Sequence, residues 1–166
     1  MTNTQDVRIE RTFEAPIDLI WAMWTDPEHF AGWYGPAGAT IPRAEMDVRV
    51  GGRRHIAMEV ETPGGPRQLF FVGEYREVDP KTRLVYTESL ADADGRALTS
   101  EQMGMPAGMP TDTSIVVELT DLGHRTAMVL THVGVPADSP GGQGWATAID
   151  TMEHRVAELV GRDDPA

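Results

Sequence analysis

Val7, Ile9, Arg11 and Phe13 alternate with Arg8, Glu10, Thr12 and Glu14. A period of two predicts a half-buried strand. Pro16 suits the first turn of a helix, where its missing N–H costs nothing. Ile17, Ile20, Trp21 and Trp24 then recur at helical spacing and give a short helix with one strongly apolar face. Thr25 or Asp26 can cap a second short helix that begins at Pro27 and carries Phe30 toward Trp33. The run Gly32-Trp33-Tyr34-Gly35-Pro36 closes it.

From about Thr40 the period returns to two. Ala44 to Val50 and Arg54 to Glu61 read as strands joined at Gly51-Gly52, a hairpin signal. Thr62 to Pro66 is a turn by composition. Leu69 to Val78 and Arg83 to Ser89 are further strands, and Ile115 to Leu119 with Thr126 to His132 form a last hairpin across Asp121-Leu122-Gly123. Two prolines and three glycines between Pro136 and Gly144 break the chain. Trp145, Ala148, Ile149, Met152, Val156 and Leu159 then hold one face of a long helix.

The order is one strand, two short helices, six more strands and a long amphipathic helix, with no repeat and no internal boundary. This predicts a single α+β domain over residues 1–166, with its core at about 6–160. A curved antiparallel sheet of about seven strands would wrap around the carboxy-terminal helix. Such a sheet leaves room for a cavity between itself and the helix.

Composition narrows the function. At 166 residues the chain can bury roughly 70% of its unfolded surface, so it needs no metal or disulfide to hold a core. Fourteen basic residues against 26 acidic ones leave a formal charge of −12, which opposes phosphate backbones and anionic bilayers. Nucleic acid and membrane are therefore not expected partners. The absence of cysteine removes thiol nucleophiles, thiolate zinc sites and iron–sulfur clusters. Met1 to Glu10 carries no apolar run of the signal-peptide kind, and no stretch approaches the ~18 apolar residues of a membrane span. The expectation is a cytoplasmic protein. His29, His55, His124 and His154 have no partners at metal-ligand spacing, so neither a metal nor a cofactor is expected. Nor is there a glycine loop before a helix to cradle phosphate, or a glycine-framed serine nucleophile.

Several strings also resemble a known family. They are Arg11-Thr12-Phe13-Glu14-Ala15-Pro16, Ile20-Trp21, Asp26-Pro27-Glu28 and Trp33-Tyr34-Gly35-Pro36. They continue with Asp47 to Arg53, Gly73, Glu77-Val78-Asp79-Pro80, Arg83 to Thr87, Leu130-Thr131-His132 and Gly144-Trp145. Together they resemble the helix-grip fold of the START-like (SRPBCC) superfamily, in its branch similar to activators of the Hsp90 ATPase (AHSA1-like). The resemblance spans about residues 6 to 160. It implies a hydrophobic cavity for lipid-, polyketide- or aromatic-like molecules, in a superfamily that holds both carriers and enzymes. The chaperone-binding role of the multidomain activators does not follow from a domain match.

Candidate chemistry rests on the inward strand faces. Alternation puts Met128, Leu130 and His132 on one inward face and Ile115, Val117 and Leu119 on another. An imidazole there can act as a general base or donate to a carbonyl; the plainer alternative is a histidine satisfied at a strand end. If Leu84, Tyr86 and Glu88 face inward, Glu88 can serve as acid or base. That face is not fixed by pattern, because Val85 is as apolar as Leu84. Arg54 shares a face with Ile56 and Met58, and can bind a ligand carboxylate or phosphate, or pair with Glu88. Gly73 marks a candidate bulge that leaves the register of Glu74 and Arg76 open. The aperiodic stretch from Ala91 to Asp112 includes Met103, Met105 and Met109, which suit a lid over an apolar ligand or a plug at the end of the core.

The leading expectation is a small hydrophobic ligand held by Trp24, Trp33, Arg54, Ile56, Met58, Tyr86, Val117, Leu130, Trp145, Ile149 and Met152 with the three loop methionines. The first alternative is a cyclase, dehydratase or hydrolase using His132 and Glu88. The second is a module that binds a chaperone or regulator. Edge strands leave a homodimer open.

Overall fold

A computed structural model describes residues 6–35, 38–102, 112–136 and 140–163. The elements in chain order are β1 (Asp6–Phe13), α1 (Ile17–Thr25), α2 (Pro27–Ala31), β2 (Thr40–Met46), β3 (Arg53–Thr62), β4 (Gly65–Asp79), β5 (Arg83–Ala91), β6 (Thr113–Asp121), β7 (Thr126–Pro136) and α3 (Pro140–Asp163). The seven strands form one curved, open antiparallel sheet in the order β1-β7-β6-β5-β4-β3-β2. Every neighbour but β1–β7 is consecutive in the chain, through short connections except for the long segment between β5 and β6. This is the α+β helix-grip arrangement expected from the sequence.

Pro16 precedes α1, and Asp26 caps α2 by accepting a hydrogen bond from the Glu28 N–H at 2.9 Å. Thr25 instead donates its hydroxyl to the Trp21 carbonyl inside α1. Helix α3 lays Ala148, Ile149, Met152 and Val156 on the sheet, where they share one core with Ile56, Leu84, Ile115, Val117 and Leu130. Burying one such side chain fully is worth about 1.5–3 kcal/mol. Arg11, on the same side of β1 as Ile9 and Phe13, reaches α3 through Asp150 and Glu153 at 3.1 and 2.6 Å.

Several boundaries differ from the sequence reading, four of them for reasons visible in the structure. Strand β2 ends at Met46 and not at Val50, because Asp47 to Gly52 coil into a compact turn. There the Asp47 N–H reaches the Arg53 carbonyl, and the Gly52 N–H reaches the Arg49 carbonyl. A Cβ on Gly52 would lie 1.9 Å from the Asp47 carbonyl oxygen, so only glycine fits. Strand β4 begins at Gly65 and not at Leu69, since Thr62 and Gly65 already pair across a tight turn. Strand β7 continues past His132 to Pro136. Helix α3 begins at Pro140, five residues before Trp145: proline is tolerated in the first turn, and helical glycines cost about 1 kcal/mol each without forbidding the helix.

The expected bulge at Gly73 is also corrected. The register shift lies between Tyr75 and Glu77. Gly73 is instead a point of close approach, where a Cβ would sit 1.8 Å from the Thr87 carbonyl oxygen.

Candidate functional site

One layer of aromatic side chains gathers between the amino-terminal helices, α3 and the sheet. Helix α1 supplies Trp24, α2 supplies Phe30, the turn after it supplies Trp33 and Tyr34, and α3 supplies Trp145. Trp24 meets Trp33 edge-on with ring centroids 4.8 Å apart, and Phe30 stacks on Tyr34 at 4.5 Å. Trp145 lies 5.7 Å from Tyr34 and 6.1 Å from Trp24. Such pairs add about 0.5–1.5 kcal/mol each beyond area burial. The Trp33 indole donates to the Met23 carbonyl at 2.8 Å, whereas the buried Trp24 Nε1 has no partner.

Facing this layer, the sheet presents a polar row. Arg54 on β3 pairs in register with Gly73 on β4. Flanking pairs Val72–Ser89 and Tyr75–Tyr86 set Gly73 against Glu88 on β5. Gly73 has no side chain, so the guanidinium and the carboxylate can meet across it. Their nearest approach is 3.4 Å, from Arg54 Nη1 to Glu88 Oε2, and the two side chains are 1% and 8% exposed. The Tyr34 hydroxyl donates to the same carboxylate oxygen at 2.8 Å. The guanidinium lies 3.8 Å over the Tyr86 ring, with Phe30 at 5.2 Å and Tyr75 at 5.9 Å. These contacts recover part of the cost of burying a cation. They leave Arg54 Nε and Nη2 and the hydroxyls of Tyr75 and Tyr86 buried without hydrogen-bond partners.

Electrostatics keep this row in one protonation pattern. Burial pushes the Tyr34, Tyr75 and Tyr86 phenols up, with Glu88 adding to the rise at Tyr34 and Arg54 opposing it at Tyr75 and Tyr86. All three are hydroxyl donors at neutral pH. Burial disfavours the Arg54 charge, but Tyr86, Tyr75, Glu88 and Tyr34 outweigh it and hold the pKa above the ordinary arginine value.

His132 sits beside this row and is fixed at both ring nitrogens. Trp145 Nε1 lies 2.7 Å from Nδ1, and Thr113 Oγ1 lies 2.7 Å from Nε2. An indole N–H only donates, so Nδ1 is the acceptor and the neutral ring carries its proton on Nε2. The Thr113 hydroxyl then donates to the Glu88 carbonyl at 3.1 Å. Burial lowers the His132 pKa, against an upward pull from Glu88 and Asp6. The proposed acid–base pair thus meets through Thr113 and the β5 main chain, while the Glu88 carboxylate faces Tyr34 and Arg54.

Trp24, Trp33, Arg54, Tyr86, Glu88, His132 and Trp145 therefore converge. Ile56, Met58, Val117, Leu130, Ile149 and Met152 are buried in the surrounding apolar core. Met103, Met105 and Met109 lie outside the described residues. Sequence reasoning missed Phe30, Tyr34, Tyr75 and Thr113 as site residues. Tyr75 was findable, since Leu69, Phe71, Gly73 and Tyr75 alternate on one face, but the suspected bulge obscured it. On the opposite face of the sheet, Glu45, Arg53, His55, Val72, Asp94 and Gly95 border a separate polar cleft of about 340 Å³, to which Arg54 also contributes. Among the described residues no three acidic or histidine side chains are grouped to hold a metal, and no helix is long and apolar enough to cross a membrane.

Residues 14–157 match the family model described as "Activator of Hsp90 ATPase homolog 1-like protein". The chain belongs to this family. Solved structures agree on the fold. A protein from Chromobacterium violaceum is 24% identical, with a TM-score of 0.72 over 92% of this chain and 96% of its own. An AHSA1 protein from Silicibacter pomeroyi is 19% identical, with a TM-score of 0.71 over 93% and 99%. DynU16, described as a putative protein in the dynemicin biosynthetic locus, is 18% identical, with a TM-score of 0.62 over 93% of this chain and 48% of its own. No functionally curated protein matches the chain significantly. Family members of this START-like, AHSA1-like kind share a fold that often binds hydrophobic molecules.

Proposed function

We propose that this AHSA1-like protein binds a small, largely apolar molecule between its sheet and α3. The observation that carries the reading is the interior itself. Between apolar and aromatic walls it holds five buried polar atoms with no protein partner, on Trp24, Arg54, Tyr75 and Tyr86. Native interiors satisfy nearly all such groups, so a cluster of exceptions in one place calls for a missing partner. Mostly apolar walls with a few convergent polar groups are the usual make-up of a small-molecule site. The likeness of the fold to DynU16, which is placed in a biosynthetic locus, fits a polyketide- or aromatic-like occupant.

Binding is favoured over acid–base chemistry because His132 has both nitrogens engaged by Trp145 and Thr113. A general base needs a free lone pair aimed at substrate. Native mass spectrometry of freshly purified protein, followed by denaturing extraction, tests the reading. A co-purified apolar molecule released intact is expected. Its recovery in chemically altered form would transfer the weight to catalysis. An empty protein, with no thermal shift across lipids and polycyclic aromatics, would overturn the binding reading.

A further inference from the structure

The free donors of Arg54 are not scattered. Nη1 is the atom turned toward Glu88, at a long 3.4 Å, while Nε and Nη2 are both unpartnered. Nε–H and the adjacent Nη2–H point the same way and form one edge of the planar guanidinium, spaced to match the two oxygens of a carboxylate. The Tyr75 and Tyr86 hydroxyls lie beside the guanidinium, which acts on both through its charge and its N–H groups, and neither hydroxyl reaches full hydrogen-bond geometry with a protein partner. The row therefore offers two N–H and two O–H donors, with no carboxylate or carbonyl oxygen of the protein in hydrogen-bond geometry on them.

We infer that the occupant of this interior is an amphipathic acid, whose carboxylate binds the Nε–Nη2 edge of Arg54 with the Tyr75 and Tyr86 hydroxyls. This rests on the ligand-binding reading above and adds the chemical class. Arg54 then bridges two carboxylates, Glu88 on Nη1 and the ligand on its other edge. The apolar body of the acid lies against the Trp24, Trp33 and Trp145 layer. Charge supports the assignment. Glu88 meets the guanidinium at only 3.4 Å and on one nitrogen, and the remaining donors favour an anion over a neutral amide or alcohol. The formal charge of −12 does not prevent this, because exposed charges are screened within about 8 Å at physiological salt whereas the buried cation is not. Carboxylate selectivity also explains why the fold keeps an arginine where apolar packing would be more stable.

Calorimetric titration of the wild-type protein with dodecanoate and 2-naphthoate, each against its primary amide, reads the proposal without any variant. The acids are expected to bind roughly ten- to hundredfold tighter than the amides, the worth of one bidentate charge-assisted contact. The double variant Arg54→Met/Glu88→Gln removes both charges together, so no lone ion is left buried. It is expected to bind acid and amide alike, and Tyr75→Phe to cut acid affinity several-fold without touching the amide. Equal binding of acid and amide by wild type overturns the carboxylate assignment and leaves the apolar site standing, with buried water as the partner of Arg54. Acid preference that survives in the double variant overturns the role of Arg54. Failure of both acids and both amides to bind overturns the carboxylate assignment. A neutral apolar molecule recovered by extraction would then keep the parent reading alive, and an empty extract would sink both.

Discussion

The indole of Trp145 donates its N–H to Nδ1 of His132 at 2.7 Å, locking α3 to β7 and fixing a neutral imidazole in the interior. One contact thereby couples the position of the long helix to the protonation state of a strand residue. The Nε2–H continues the chain to Thr113 and the Glu88 carbonyl, so the imidazole is a structural hinge pin between β7, β6, β5 and α3.

This coupling makes stability depend on pH. Burial lowers the folded-state pKa of His132 below its ordinary value. The unfolded chain then binds a proton more readily than the folded one as pH falls. The contribution is fully present above about pH 7 and is lost as pH drops through about 6.5 toward the lowered folded value. Urea denaturation at about pH 7.5 and 5.5 is expected to show lower stability at the acid end. His132→Asn keeps an acceptor for Trp145 but loses the Thr113 bond. It is expected to cost about 1–2 kcal/mol at the higher pH and to flatten the difference between the two. An unchanged slope would place the titration elsewhere.

Arg54 and Glu88 form a double-mutant cycle with opposite signs. Arg54→Met alone leaves a carboxylate buried with only the Tyr34 hydroxyl, and is expected to destabilise by about 3–5 kcal/mol. Arg54→Met combined with Glu88→Gln removes both charges and is expected to restore wild-type stability or exceed it by about 1–4 kcal/mol. Thermal and urea unfolding of wild type, Arg54→Met, Glu88→Gln and the double variant read the coupling. Additive losses would mean that the pair interacts less than its geometry implies.

Gly73 carries two duties that no other residue can share. A Cβ there meets the Thr87 carbonyl oxygen at 1.8 Å, and any side chain intrudes on the gap that Arg54 and Glu88 span. Gly73→Ala is expected to cost about 3 kcal/mol or more, as for overpacking against fixed backbone. Gly38→Ala, which meets nothing within 4 Å but has a φ of +85°, separates backbone strain from collision and is expected to cost only about 1 kcal/mol. A Gly73→Ala loss no larger than that of Gly38→Ala would deny the close approach.

Buried and exposed polar contacts are expected to differ in weight. The Thr126 hydroxyl donates to the Ala15 carbonyl at 2.9 Å and ties the start of β7 to the β1–α1 turn, fully out of solvent. Thr126→Val strands that carbonyl and is expected to cost about 1–3 kcal/mol. Arg83 bridges Glu77 and Glu118 on the surface, and Arg83→Gln is expected to change stability by no more than about 0.5 kcal/mol. Chemical denaturation that ranked the two in reverse would contradict the burial argument.

Most of the architecture was legible along the chain. The alternation of Val7, Ile9 and Phe13, the helical spacing of Ile17 to Trp24 and the long stripe from Trp145 to Leu159 are local signals, set by the geometry of strand and helix. They determined the element order, the seven strands and the single core. The inward face of β5 was not legible, because Leu84 and Val85 are equally apolar and only cross-strand pairing with β4 and β6 settles parity. The extent of α3 was not legible either, since glycine-rich sequence reads as a break until Trp145 docks on His132. The site was legible only in part: Arg54, Tyr86 and Glu88 were candidates and an Arg54–Glu88 pair was one option, but Tyr34 and Tyr75 were not foreseen. Tyr34, Arg54, Tyr75 and the Tyr86–Glu88 pair come from four separate segments, and each residue has an ordinary local role. Their meeting depends on the register that sets Gly73 between Arg54 and Glu88, and on the turn after α2 that brings Tyr34 over the sheet. The sequence determined which segments would be strand and helix because those choices are made over a few neighbouring residues. Tertiary structure alone decided which donors lost their partners, because burial and pairing belong to distances between strands that no local pattern encodes.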